Sequence, residues 1–137
     1  MAGGEGKRLD PFTRVLPKPL IPIGETPVIE RIIQNFQKSG SNKFYISIYY
    51  RAKTMQAYFE ENLPDLNVDF IEEEKPLGTG GALKLMENEI DQSFFLSNCD
   101  ILIKANYKEI YKFHKKNNNA LTIVGSMKHH QIPYGIC

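Results

Sequence analysis

The sequence predicts an α/β fold, a mostly parallel sheet with helices on its faces. Three observations lead there. Short apolar runs alternate with amphipathic stretches at helical spacing. One of the runs, SFFLSN, is too apolar to have a wet face, as expected of a strand covered on both sides. Glycine-rich and acidic segments fall at or just after such runs, where open α/β sheets hold ligands at the carboxyl ends of their strands. Connections between successive strands are then right-handed crossovers.

The elements follow in order. Residues 1–20, MAGGEGKRLDPFTRVLPKPL, form a long loop with no strand in front of it. Thr26-Pro27 reads as a helix N-cap followed by proline at the first helical position. Val28, Ile29, Ile32, Ile33 and Phe36 then share one face, and Gly40 suits the stop. KFYISIY (43–49) points Phe44, Ile46 and Ile48 inward as a strand. Residues 53–62 read as a helix closed by Pro64, and NVDFI (67–71) as a second strand. A glycine-opened helix is expected from Gly78 to about Glu89. SFFLSN (93–98) is expected as a third strand and ALTIVG (120–125) as a fourth. Between them, residues 106–117 form a helix with Asn106 as N-cap and Tyr107, Ile110, Tyr111 and His114 on one side.

Bulk properties narrow the function. The 137 residues make one domain or part of one. Seventeen basic against sixteen acidic side chains leave a net charge of +1, which argues against a nucleic-acid scaffold or a polybasic membrane patch. No apolar run approaches the roughly 18 residues of a membrane span, and no signal peptide is visible. Cys99 and Cys137 lack metal-ligand spacing, so reduced thiols in a cytoplasmic protein are expected.

The opening loop has the makings of a phosphate cradle. Gly3, Gly4 and Gly6 allow close backbone approach, and their N–H groups can point at phosphate oxygens. Lys7, Arg8 and Lys18 add cations, and a guanidinium grips phosphate oxygens as a fork. The bland alternative is a glycine-rich surface loop with solvated charges. Two familiar phosphate loops do not fit: Met1 and Arg8 break the G-x-x-x-x-G-K-[ST] pattern, and Leu9 breaks G-x-G-x-x-G.

The longer pattern is specific. GGEGKRLDPFT followed by PKPLIPIGETP resembles the signature of the sugar-nucleotide pyrophosphorylases, nucleotidyltransferases that join a sugar 1-phosphate to a nucleoside triphosphate. PLGTGGAL (76–83) is similar to that family's base-side segment, and FFLSNCD (94–100) to its strand ending before a metal site. EEEKPLGTGGAL is most similar to the heptose and mannose 1-phosphate guanylyltransferases. The resemblance covers essentially the whole chain.

It implies a Rossmann-like three-layer αβα fold and a partial nucleotidyltransferase domain over 1–137. In that fold a strand precedes the glycine loop, and the chain continues beyond the segment similar to PYGI (133–136); neither is expected within these residues. That strand lies inside the sheet, so its absence would leave two neighbours with unpaired backbone groups, a gap for a partner strand or a second copy to fill, and a homo-oligomer is one expected arrangement.

It also implies roles. Ala2, Gly3, Gly4, Gly6, Glu73 and Gly78 bind the nucleotide, and Gly135 reaches the sugar. Arg8 neutralises the departing pyrophosphate, Lys18 bridges the α-phosphate and the sugar phosphate, and Asp100 places Mg²⁺. The sugar phosphate attacks the α-phosphorus in line, and catalysis is positioning plus charge neutralisation. Partners are a nucleoside triphosphate and a sugar 1-phosphate, with no nucleic acid and no membrane.

Several positions keep two readings. Glu73 either reads guanine's N1–H and N2–H₂ edge or belongs to a solvated acidic run with Glu72 and Glu74, and a shift of one residue would turn a neighbour inward instead. Uridylyl or thymidylyl transfer, and a non-catalytic nucleotide-binding module of the same fold, are the competing functions. Cys99 stands where the family has glycine and reads as a small residue packed at a strand end. His114 reads as a satisfied histidine at a core edge, and His129-His130 as surface loop. Lys112, Lys115 and Lys116 read as a solvated helix face, and Tyr49-Tyr50-Arg51 as rim.

Overall fold

The computed structural model describes residues 1–4, 6 and 9–127. The chain divides into two compact units, Met1–Ala105 and Asn106–Cys137. None of the described helices is long and apolar enough to cross a membrane.

The first unit is built on a β-α-β core. Pro22–Ile23 (β1) and Thr26–Pro27 (β2) form a two-residue antiparallel hairpin turning at Gly24, whose φ is +67°. Helix α1, Val28–Lys38, follows at once and buries Val28, Ile29, Ile32, Ile33 and Phe36, the stripe that 3.6-residue periodicity sets. Ser39 caps it, and Gly40 takes φ +100°, a backbone region that favours glycine. Arg31 donates from both Nε and Nη2 to the Ile23 carbonyl and so ties α1 to the hairpin.

Strand β3, Phe44–Ile48, pairs in parallel with β4, Val68–Glu72, from Phe44↔Val68 to Ile48↔Glu72. Helix α2, Ala52–Asn62, makes the crossover and buries Ala52, Met55 and Phe59 at spacings of three and four. Phe59 meets Phe70 of β4 edge-on, with centroids 5.4 Å apart. Ile46, Ser47 and Ile48 are all buried, so β3 is covered on both faces, as an inner parallel strand is. Ile29 and Ile33 of α1, Ile46 and Ile48 of β3, and Met55 and Phe59 of α2 join Ala2 and Leu20 in one hydrophobic cluster.

The start of the chain lies on the other side of β3. Ala2 N–H donates to the Ser47 carbonyl (2.9 Å), while the Met1 nitrogen donates to the Ser97 carbonyl (2.9 Å) and the Met1 carbonyl accepts from Cys99 N–H (3.1 Å). Met1 and Ala2 are thereby placed as an inner sheet position would be, between β3 and residues 97–99.

Four sequence expectations need correction. Residues 93–98 form no strand. The Met1 nitrogen reaches the Ser97 carbonyl, Phe94 and Leu96 are about half exposed, and Phe95 packs on Phe36 (5.4 Å). Residues 120–125 form none either, with Leu121 74% and Ile123 82% exposed: β propensity makes a strand only where another backbone accepts the pairing. The helix expected from Gly78 is a shorter 3₁₀ turn, Gly81–Met86, entered through Gly80 in the left-handed region. The N-cap of α1 is Pro27, not Thr26, because β2 holds Thr26 and Pro27 extended against β1.

In the second unit, helix α3 spans Tyr107–Lys116. Asn106 caps it, its side chain accepting from Glu109 N–H (3.3 Å). His114 Nδ1 lies 3.0 Å from Thr122 Oγ1, so this histidine is engaged locally, while Lys112, Lys115 and Lys116 are exposed.

Candidate functional site

Within the first unit, segments distant in sequence meet at the carboxyl end of the β3–β4 pair. Parallel pairing sets β3 and β4 side by side and in step, so the residues that follow them, Tyr49 and Glu73, emerge on the same edge. Glu73 N–H extends the ladder to the Ile48 carbonyl (2.9 Å).

Glu73 is only 6% exposed, whereas Glu72 and Glu74 are exposed, so one residue of the acidic run is turned inward. Its Oε2 accepts from Leu77 N–H (2.9 Å). Its Oε1 stands where it would meet a Cβ on Gly3 at 3.1 Å, and Tyr49 Cβ would meet it at 3.3 Å. Gly3 thus lets the chain start lie against a buried carboxylate. Such a carboxylate is costly to bury without donors, and Leu77 supplies one. Its Oε1 takes no hydrogen bond from the described residues.

The G-T-G-G segment is held near by. Gly78 and Gly80 have φ of +73° and +83°. Gly80 N–H donates to Met1 Sδ (2.9 Å), which draws the loop to the chain start. Gly4 has open space around the position of a Cβ.

Gly6 has a stricter requirement. Its φ is +66°, and a Cβ would lie 2.8 Å from Thr13 Cγ2 and 3.2 Å from Lys18 Cβ. Thr13 is buried and donates from Oγ1 to the Gly6 carbonyl (3.3 Å). Lys18 lies in a 3₁₀ turn, Lys18–Leu20, whose Pro19 and Leu20 are buried, and its ammonium forms an ion pair with Asp100. Asp100 directly follows Cys99, which packs against the core cluster. Burial pushes the Cys99 thiol above its ordinary value, which disfavours the thiolate and a nucleophilic role.

The structure brings together Ala2, Gly3, Glu73, Lys18 and Asp100, with Gly6 and Gly78 in the loops beside them. Arg8 and Gly135 lie outside the described residues, as do His129 and His130. Sequence reasoning left Tyr50 and Arg51 at the rim, and their contacts are more specific. Tyr50 Oη donates to the Thr13 carbonyl (3.2 Å), and the Arg51 guanidinium donates to the Arg14 carbonyl. The aromatic-basic pair at a strand end was the only signal, and it carries no partner information.

Among the described residues no group of three or more His, Cys, Asp or Glu is placed to hold one metal ion. Mg²⁺ needs fewer, since it is commonly bound by one or two carboxylates with phosphate oxygens and water completing its shell. Asp100, 36% exposed at its side chain, is a hard oxygen donor of that type and fits as a single protein ligand.

A strand-end cluster with a glycine loop, a buried carboxylate and a lysine–aspartate pair lies in this α/β unit, and comparison gives its family. The chain belongs to the nucleotidyl transferase family, whose model matches residues 1–137. It is 35% identical to a mannose-1-phosphate guanyltransferase of Yarrowia lipolytica and 36% identical to one of Candida albicans. Each match takes in 99% of this chain and 39% of the relative, so the chain spans about two fifths of these relatives' length. Among solved structures, HddC from Yersinia pseudotuberculosis complexed with GMP-PN superposes with a TM-score of 0.70 at 32% identity, over 82% of this chain and 51% of that one. The CTP:phosphocholine cytidylyltransferase LicC from Streptococcus pneumoniae superposes with a TM-score of 0.55 at 27% identity, over 64% and 38%.

Proposed function

We propose that this chain forms the nucleotide-binding part of a sugar-1-phosphate guanylyltransferase, which transfers GMP from GTP to a sugar 1-phosphate and releases pyrophosphate. The observation that carries the base preference is Glu73, turned inward between Gly3 and the G-T-G-G loop. An ionised carboxylate only accepts hydrogen bonds. Guanine offers it two adjacent donors, N1–H and N2–H₂, while uracil and thymine would turn carbonyl oxygens toward it. The guanyltransferase relatives and the neighbour complexed with GMP-PN support the same base.

In this reading the backbone N–H groups of Gly3, Gly4 and Gly6 face the phosphates, and Arg8 neutralises the β- and γ-phosphates. Lys18 lies against the α-phosphate and the incoming sugar phosphate, which lowers the repulsion between two anions that must meet. Asp100 would hold Mg²⁺, which when bound supplies positive charge to the phosphate oxygens. Gly135 is assigned to the sugar.

The test is pyrophosphate release by the purified protein with mannose or heptose 1-phosphate and GTP, UTP, dTTP, CTP or ATP at equal concentration. Release greatest with GTP supports the reading. A preference for UTP or dTTP overturns the role of Glu73, and nucleotide binding without turnover makes the chain a binding module.

A further inference from the structure

We infer that Tyr50 and Arg51 are positioning residues for the triphosphate loop: the β3–α2 turn grips the loop by two backbone carbonyls and sets its grip on the β- and γ-phosphates. The inference rests on the nucleotide-binding reading above and adds a determinant that neither the glycine signature nor the base-side segment contains.

The contacts form a chain. Tyr50 Oη donates to the Thr13 carbonyl (3.2 Å), and Thr13 Oγ1 donates to the Gly6 carbonyl (3.3 Å). The Arg51 guanidinium donates to the neighbouring Arg14 carbonyl and, from Nε, to Tyr50 Oη (3.3 Å). It also lies over the Tyr50 ring, 5.6 Å from the centroid. Two adjacent carbonyls, Thr13 and Arg14, are thus held from one turn.

The turn is itself anchored. Arg51 sits at φ 54°, a left-handed conformation uncommon for a side chain with a Cβ. Its carbonyl accepts from Thr54 and Met55 N–H (3.0 and 3.2 Å), the first turn of α2, whose Met55 is fully buried. One residue therefore starts the crossover helix with its backbone and holds the loop with its side chain. The loop is also tied at Gly6, whose carbonyl accepts from Thr13 Oγ1 (3.3 Å) and where a Cβ would lie only 2.8 Å from Thr13 Cγ2.

The geometry makes a selective demand. The contacts end on the phosphate loop and none reaches Glu73 or the Gly78–Gly80 segment, so loosening them should weaken binding of the outer phosphates and spare the base. Calorimetric titration of the purified protein with inorganic pyrophosphate, GTP and GMP tests this in wild type, Tyr50→Phe, Arg51→Ala and Arg51→Lys. A hydrogen bond of this kind is worth about fivefold in an equilibrium, and one from a charged donor about tenfold, which is the ceiling on what its loss can take from binding. Tyr50→Phe and Arg51→Ala should therefore bind GTP and pyrophosphate more weakly by up to about fivefold and tenfold, with GMP affinity unchanged and Arg51→Lys partly restored. Equal losses for GMP and GTP, or no loss for either, overturn the inference while leaving the nucleotide-binding reading standing. A wild-type protein that binds neither GTP nor pyrophosphate overturns both.

Discussion

The Lys18 ammonium rests against the Asp100 carboxylate, an ion pair between residues 82 positions apart. One partner comes from the P-K-P-L segment and the other from the end of an apolar run. Both side chains are partly exposed, 23% and 36%, so water screens the pair and its contribution to stability is small, about 1 kcal/mol or less. In the proposed mechanism its reach toward a phosphate is what matters.

Asp100→Asn keeps the shape and removes the charge. Turnover should fall by about 10²-fold or more, the scale of removing one transition-state charge partner, while the melting temperature moves by only a few degrees. Excess chelator should abolish turnover in the wild type. Full activity in Asp100→Asn, or in chelator, would remove Asp100 and the metal from the mechanism.

The two adjacent glycines should separate in their effects. A Cβ on Gly3 meets Glu73 Oε1 at 3.1 Å and Tyr49 Cβ at 3.3 Å, so Gly3→Ala should destabilise by about 1–3 kcal/mol, as overpacking does. Gly4→Ala has open space and should melt as the wild type does, while weakening GTP binding. Denaturant melts of both variants read the difference; equal stability would show that Glu73 and Tyr49 do not crowd Gly3.

Glu73→Gln keeps an acceptor for Leu77 N–H but replaces the charge that would face the base. Selectivity for GTP over UTP should drop by about tenfold, since an unpaired buried carboxylate costs about 1–3 kcal/mol against the wrong base. Unchanged selectivity would confine Glu73 to holding Leu77.

Tyr58 gives a prediction at alkaline pH. Burial, then its hydrogen bond to the Glu30 carboxylate, pushes the phenol up to about 12 from an ordinary 10. The unfolded chain therefore loses this proton first. The stabilisation is whole below pH 10 and drains away as pH rises toward about 12. In Tyr58→Phe that part of the alkaline decline should vanish, along with the link between α1 and α2. Parallel stability–pH curves for the two proteins between pH 9 and 12 would contradict the assignment.

Sequence patterning was enough for α1 and β3, because each buries a stripe or face that its own residues define, and α2, β4 and α3 also form where the sequence placed them. The Asn106 cap and the Gly40 stop were legible for the same reason: they are local. The motif residues were legible as types in order, since a cradle for phosphate needs glycine and cations whatever surrounds it. What the sequence could not settle was anything requiring a second segment. Whether residues 93–98 and 120–125 become strands depends on a neighbouring backbone, and hydrophobicity does not say whether one is there. Which of Glu72, Glu73 and Glu74 turns inward follows from the parallel register of β3 and β4, where a slip of one residue exchanges the two faces. That Tyr50 and Arg51 reach the carbonyls of Thr13 and Arg14, 37 positions away in each case, is a matter of how the loop folds back over a strand end. Chain chemistry determined which residue types stand ready for a phosphate; tertiary packing decided which of them lie together.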